Sequence, residues 1–101
     1  MIKNIIKKYL QDSLNKLDIT SNNITIQDPR SHQDIDYATN IAMILSNELK
    51  ESPLNIANKI VEQLKLLDDN FFNQITIAKP GFINFKINPI RYSEKISLII
   101  D

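Results

Sequence analysis

Apolar residues open the chain at helical spacing: Ile2, Ile5, Ile6, Tyr9, Leu10, Leu14 and Leu17 share one side, with lysines and Asp12 between them. Residues three and four apart lie on one face of a helix, so the pattern predicts an amphipathic helix of about four turns. Thr20 to Asn23 is a polar break. Ile24-Thr25-Ile26-Gln27 then alternates at period two and reads as a short strand closed by Asp28-Pro29. From Arg30 to Asp36 the residues are polar, the pattern of a loop. Asp36 is placed to cap a second helix carrying Tyr37, Ile41, Ile44, Leu45 and Leu49.

Ser52-Pro53 supplies a capping hydroxyl followed by proline at the first helical position. The third helix shows Ile56, Ala57, Ile60, Val61, Leu64 and Leu67 in one stripe and ends at Asp68-Asp69-Asn70. Ile75-Thr76-Ile77-Ala78 reads as a strand. Lys79-Pro80-Gly81-Phe82 has proline and glycine where a type II turn wants them. Phe82 to Asn88 alternates again, and Asn88-Pro89 starts a last helix with Ile90, Ile96 and Ile99. Helix, strand, two helices, two strands and a helix give too few strands for a doubly wound parallel sheet. The expectation is an α+β fold, a small antiparallel sheet with helices packed on one face, in one domain over residues 1–101.

Composition narrows the function more than the fold. Twelve basic and twelve acidic residues give a formal net charge of zero, so nucleic acid would have to be met by a local patch rather than by bulk charge. The absence of cysteine rules out disulfides and thiolate metal sites. No apolar run approaches the ~18 residues of a membrane span, and the lysine-broken start does not resemble a signal peptide, which points to the cytoplasm and no membrane. His32, with Asp34 and Asp36 nearby, could be a base oriented by a carboxylate. It lacks a nucleophile or glycine-rich loop and fits an exposed loop residue. Asp68-Asp69 reads as a solvated helix end. No catalytic residue and no metal or cofactor site is expected in this chain.

The strand from Phe82 carries more. Side chains alternate across a sheet, so Ile83, Phe85 and Ile87 belong to the core. Phe82, Asn84, Lys86 and Asn88 face the other way. A ring can stack a base, an amide can read its edge and a lysine can meet phosphate, the requirements of single-stranded RNA. The alternative is that Phe82 plugs a small apolar cluster beside the turn, in a protein-interaction module with no RNA role. Lys79, Lys86 and Arg91 are the candidate phosphate contacts.

The stretch Ile75-Thr76-Ile77-Ala78-Lys79-Pro80-Gly81-Phe82-Ile83-Asn84-Phe85 resembles a signature of bacterial arginyl-tRNA synthetases, in which an apolar strand runs into Gly-Pro-Gly-Phe-Ile-Asn. Lys79 stands where that family usually has glycine. Asp36-Tyr37-Ala38-Thr39-Asn40 is similar to the family's Gly-Asp-Tyr-x-x-Asn at the start of a helix, with Ile35 in place of its glycine. The resemblance runs from about Asp34 to Pro89 in matching order. It implies an appended N-terminal module that contacts the D-loop of tRNA(Arg), an aromatic residue and an amide two positions later recognising an exposed base. Those positions match Phe82 and Asn84. It also implies a monomer whose partners are tRNA and its own catalytic domain, where ATP and Mg2+ act. The ATP-site signature His-Ile-Gly-His cannot be present in a chain with one histidine and one glycine.

Overall fold

The computed structural model describes residues 2–28, 34–67 and 69–100, with the side chains of 97–100 left out. Arg30, His32 and Asp68 therefore lie outside the described residues. Four helices and three strands follow in the order α1 (Ile2–Lys16), β1 (Tyr37–Thr39), α2 (Ile41–Leu49), α3 (Pro53–Leu66), β2 (Phe72–Ala78), β3 (Phe82–Ile87) and α4 (Pro89–Ile100). The sheet is antiparallel in the order β1-β3-β2. The α+β class, with helices on one side of the sheet, is as the hydrophobic pattern predicts.

Helix α3 is the centre of the helical layer. It packs against α1, α2 and both long strands because its stripe of Ile56, Ala57, Ile60, Val61 and Leu64 is buried throughout. Its start is set locally, the Ser52 hydroxyl accepting from the Asn55 amide at 3.1 Å with Pro53 following. Leu67 falls past the last turn and is half-buried. From the sheet, Ile83, Phe85 and Ile87 close the core, and α1 adds Ile6, Leu10 and Leu14. Burying each such side chain contributes ~1.5–3 kcal/mol. Ser13, buried in α1, bonds the Leu10 carbonyl of its own helix.

Several expectations are corrected. Ile24 to Gln27 is extended, with Ile24 and Ile26 buried, but it is not a strand: Gln27 and Ala38 form a single antiparallel pair. Beyond that pair the contact is made through a side chain, the Thr39 hydroxyl donating to the Thr25 carbonyl at 2.9 Å. Asp36 does not cap a helix. Residues 37–39 instead join the free edge of β3, Asp36 N–H donating to the Phe85 carbonyl at 2.9 Å and its carboxylate accepting from Ile87 N–H at 2.8 Å. Helix α2 therefore starts at Ile41, whose amide donates to the Thr39 hydroxyl at 3.3 Å. Leu49, at its end, is exposed.

Strand β2 begins at Phe72, earlier than the alternation of Ile75 and Ile77 suggested, and Phe71 and Phe72 are both buried. They build an aromatic cluster in which Phe71 meets Tyr9 at 5.3 Å and Phe72 meets Phe85 at 5.0 Å. The Lys79–Pro80 peptide is cis and Gly81 does not take a positive φ, so the turn is not type II. In α4 the expected stripe fails at Ile90, which is 72% exposed. Tyr92 packs against Phe71, and a residue two positions away on a helix points about 200° round from it. Ile96 is half-buried, and the side chain of Ile99 lies outside the described residues.

Candidate nucleic-acid interface

With the helices on one side, the pairing register fixes what the other side presents. Opposed residues in an antiparallel pair project to the same face, so Asn84 stands in a row with Ala38 on β1 and Thr76 on β2. Gln27 extends that row through its pair with Ala38. Phe82 is opposed by Ala78, and Lys86 by Gln74. Strands lie ~4.8 Å apart and residues on one face recur every ~6.8 Å, so the ring of Phe82, the amide of Asn84 and the ammonium of Lys86 follow one another along one line. Alanines at 38 and 78 keep the flanks of the amide and ring low.

Gln27, Gln74 and Thr76 on this face are exposed, and Phe82, Asn84 and Lys86 are half-buried. Of the chain's four phenylalanines, Phe71, Phe72 and Phe85 contact other rings. Phe82 has no ring partner among the described residues. The ring and charge contacts of α4 with the rest of the fold go to Tyr9, Asp69 and Phe71 among the described residues. Helix α4 follows the far end of β3, about 17 Å of strand from Phe82.

Lys86 on the face and Lys79 at the turn form no ion pair among the described residues. Arg91, by contrast, stands on α4 rather than on the sheet and pairs with Glu94 at 3.0 Å. Asp36, at the edge, has its carboxylate engaged by Ile87 N–H. The register thus puts Phe82, Asn84 and Lys86 on one face, while Lys79 lies in the turn after β2 and Arg91 on a different element. Gln27, Gln74 and Thr76 were missing from the sequence reading. Alternation was visible around Gln27 and Thr76, Gln74 lay ahead of the strand the pattern marked, and only pairing tells which strand each one lies beside.

The turn is held in place by close packing. Gly81 is buried, and a Cβ there would sit 2.7 Å from Pro53 Cβ and 3.2 Å from Met43 Cγ. Glycine is needed here for approach, not for backbone φ. The contact ties the Phe82 end of β3 to the α2–α3 corner. Asp69, the remaining part of the acidic pair described here, accepts from the Tyr9 hydroxyl at 2.6 Å and pairs with Lys95 at 3.3 Å. Burial raises its pKa, but the bonds from Tyr9 and Lys95 outweigh that and hold it below the usual value. This cluster joins α1, the segment before β2 and α4. Among the described residues, no group of three or more His, Cys, Asp or Glu could hold a metal ion, and no helix is long and apolar enough to cross a membrane.

Residues 2–87 match the family described as "Arginyl tRNA synthetase N terminal domain". The arginine–tRNA ligase of Pelagibacter ubique is 39% identical over 95 residues, covering 94% of this chain and 16% of that protein. The Mycoplasma mobile enzyme of the same name is 40% identical over 85 residues, covering 84% and 15%. Among solved structures, the arginyl-tRNA synthetase of Thermus thermophilus superposes with a TM-score of 0.77 at 16% identity, over 94% of this chain and 15% of that one. That of Plasmodium falciparum gives 0.73 at 21% identity, over 89% and 16%. At those identities the structural likeness speaks to the fold. The chain spans about a sixth of the length of these relatives.

Proposed function

This chain belongs to the family of arginyl-tRNA synthetase N-terminal domains, and from that premise we propose that it is a tRNA-binding module of an arginine–tRNA ligase. It adds affinity and base selectivity, while ATP-dependent arginylation, with ATP and Mg2+, is carried out by residues outside this chain. The proposed contact is the D-loop of tRNA(Arg). Phe82 stacks an exposed base, the Asn84 amide reads its edge by donating and accepting, and Lys86 and Lys79 meet neighbouring phosphates. Arg91 can add a phosphate contact only by leaving Glu94.

What supports this reading is a sheet face on which the half-exposed Phe82 ring and the Asn84 amide stand in line with Lys86, which has no ion-pair partner among the described residues. In a protein-interaction module with no RNA role, Phe82 would instead be buried under the last helix. The described contacts of α4 run elsewhere.

The test is titration of the chain with a tRNA(Arg) transcript, followed through backbone amide shifts, using native tRNA and tRNA changed at one D-loop base. Shifts are expected at Gln27, Ala38, Thr76 and Asn84. Phe82→Ala removes stacking of ~1–3 kcal/mol, a loss of about 5- to 150-fold in affinity whichever base is offered. Asn84→Ala instead narrows the difference between the two tRNAs. Unchanged discrimination in Asn84→Ala, or shifts confined to the helical side, would overturn the assignment.

A further inference from the structure

Outside the sheet face, the feature with the most unexplained chemistry is an open pocket of about 390 Å3 between α1 and the segment that follows it. Helix α1 contributes Asn4, Lys7, Lys8 and Gln11, positions i, i+3, i+4 and i+7, which form one continuous stripe on a helix. Ser21 and Asn22 stand across from them, and Ile24 completes the lining. The lining therefore holds two ammonium groups, three amides and a hydroxyl, with no carboxylate. Lys7 is half-buried yet has no ion-pair partner among the described residues. Lys8 is exposed and holds Asp12 at 3.1 Å, an i,i+4 surface pair of the kind that water and salt weaken easily. The Ser21 hydroxyl oxygen accepts from Asn23 N–H at 3.3 Å, which leaves its own hydrogen to donate. A pocket of donors with two positive charges suits a tetrahedral oxyanion.

Position links this pocket to the sheet. Ile24 lines it and Gln27, three residues on, ends the Gln27–Ala38–Asn84–Thr76 row. Three residues span at most ~10 Å, which puts the pocket and the end of that row within reach of one strand of RNA. Resting on the tRNA-binding reading above, we propose that this pocket takes a backbone phosphate of the same RNA, the strand passing from the base held at Phe82 and Asn84 over the edge at Gln27. The ligand class is a phosphodiester. The pocket gives a neutral chain a second point of electrostatic attachment, far enough from the base site to orient the strand across the sheet.

The experiment measures affinity for the tRNA(Arg) transcript over a series of salt concentrations for the chain and three variants. These are Lys7→Gln/Lys8→Gln, Phe82→Ala and the charge-matched control Lys50→Gln/Lys65→Gln. Losing one phosphate contact lowers the slope of log K against log salt by ~0.7–0.9. That drop is expected in the Lys7/Lys8 variant, whereas Phe82→Ala weakens binding with its slope unchanged and the control leaves both unchanged. An unchanged Lys7/Lys8 slope with Phe82→Ala still weakened overturns the pocket and leaves the sheet reading standing. An equal drop in the control also overturns it, because bulk charge then accounts for the effect. Absence of tRNA binding by the unaltered chain sinks both. Inorganic phosphate is titrated in parallel: shifts at Ser21 and Asn22 without any effect of the lysine changes on tRNA binding identify a free-anion site and reject the RNA assignment.

Discussion

Replacing Gly81 by alanine pits two effects of opposite sign against each other. Gly81 does not use a positive φ, so the backbone accepts alanine, and the stiffer unfolded chain favours folding by ~0.4–1 kcal/mol. Against this, the new Cβ would lie 2.7 Å from Pro53 Cβ and 3.4 Å from the Pro53 carbonyl carbon. Met43, at 3.2 Å, is a flexible side chain that can move aside. Pro53 is a rigid ring at the first turn of α3, held there by the Ser52 cap, and cannot. Crowding of this kind costs ~1–3 kcal/mol, which outweighs the entropic gain and leaves a net loss of about 1–2 kcal/mol. In a domain of this size that lowers Tm by roughly 5–15 °C. Urea unfolding checks the sign and size, and a double-mutant cycle with Pro53→Gly checks the cause. Without the Pro53 Cβ, Gly81→Ala should cost close to nothing, a coupling of at least ~0.5 kcal/mol. A stabilised Gly81→Ala protein, or strict additivity with Pro53→Gly, would refute the close-approach account of this glycine.

Strand register is tested by Phe85→Ala, which should cost ~3–5 kcal/mol in urea unfolding, against Lys86→Ala, which should stay within about 0.5 kcal/mol. The reverse ranking means the faces are exchanged. Asp36→Ala leaves the part-buried Ile87 N–H without its 2.8 Å acceptor and should cost ~1–3 kcal/mol. Asp36→Asn retains an acceptor oxygen and should recover most of that. Asp69 has its folded pKa below its ordinary value of 3.8, so its contribution is fully present above pH 3.8 and is lost as pH falls through the folded value. Urea midpoints between pH 6 and 2.5 should therefore converge for wild type and Asp69→Asn at the acid end, and a gap that widens on acidification contradicts the Tyr9 and Lys95 bonds.

Much of this molecule was set by local pattern. The 3.6-residue stripes of α1 and α3 named Ile6, Leu10, Leu14, Ile56, Ala57, Ile60, Val61 and Leu64, which are buried, and others that are half-buried, because a helix must turn its apolar side inward wherever it docks. Ser52-Pro53 fixed a helix start through atoms three residues apart. Period-two alternation put Ile83, Phe85 and Ile87 inside and Phe82, Asn84 and Lys86 outside before any partner strand was known. The resemblance across Ile75 to Phe85 pointed to the family that residues 2–87 match. What remained depended on contacts between segments far apart in the chain. Tyr37 to Thr39 has the composition to enter a helix, and it became a strand because β3 offered unpaired backbone groups at its edge. Phe71 and Phe72 show no alternation. They are buried because Tyr9, Phe85 and Tyr92, from three other elements, converge on them. Gly81 looked like a turn residue, and its requirement comes from a proline twenty-eight positions earlier. The same holds for the surface: Gln27 and Thr76 flank Asn84, and Ser21 faces Lys7, only after pairing and packing have put those backbones side by side. A sequence encodes which way each side chain faces within its own element, while the neighbours it meets on that face are decided when the elements dock.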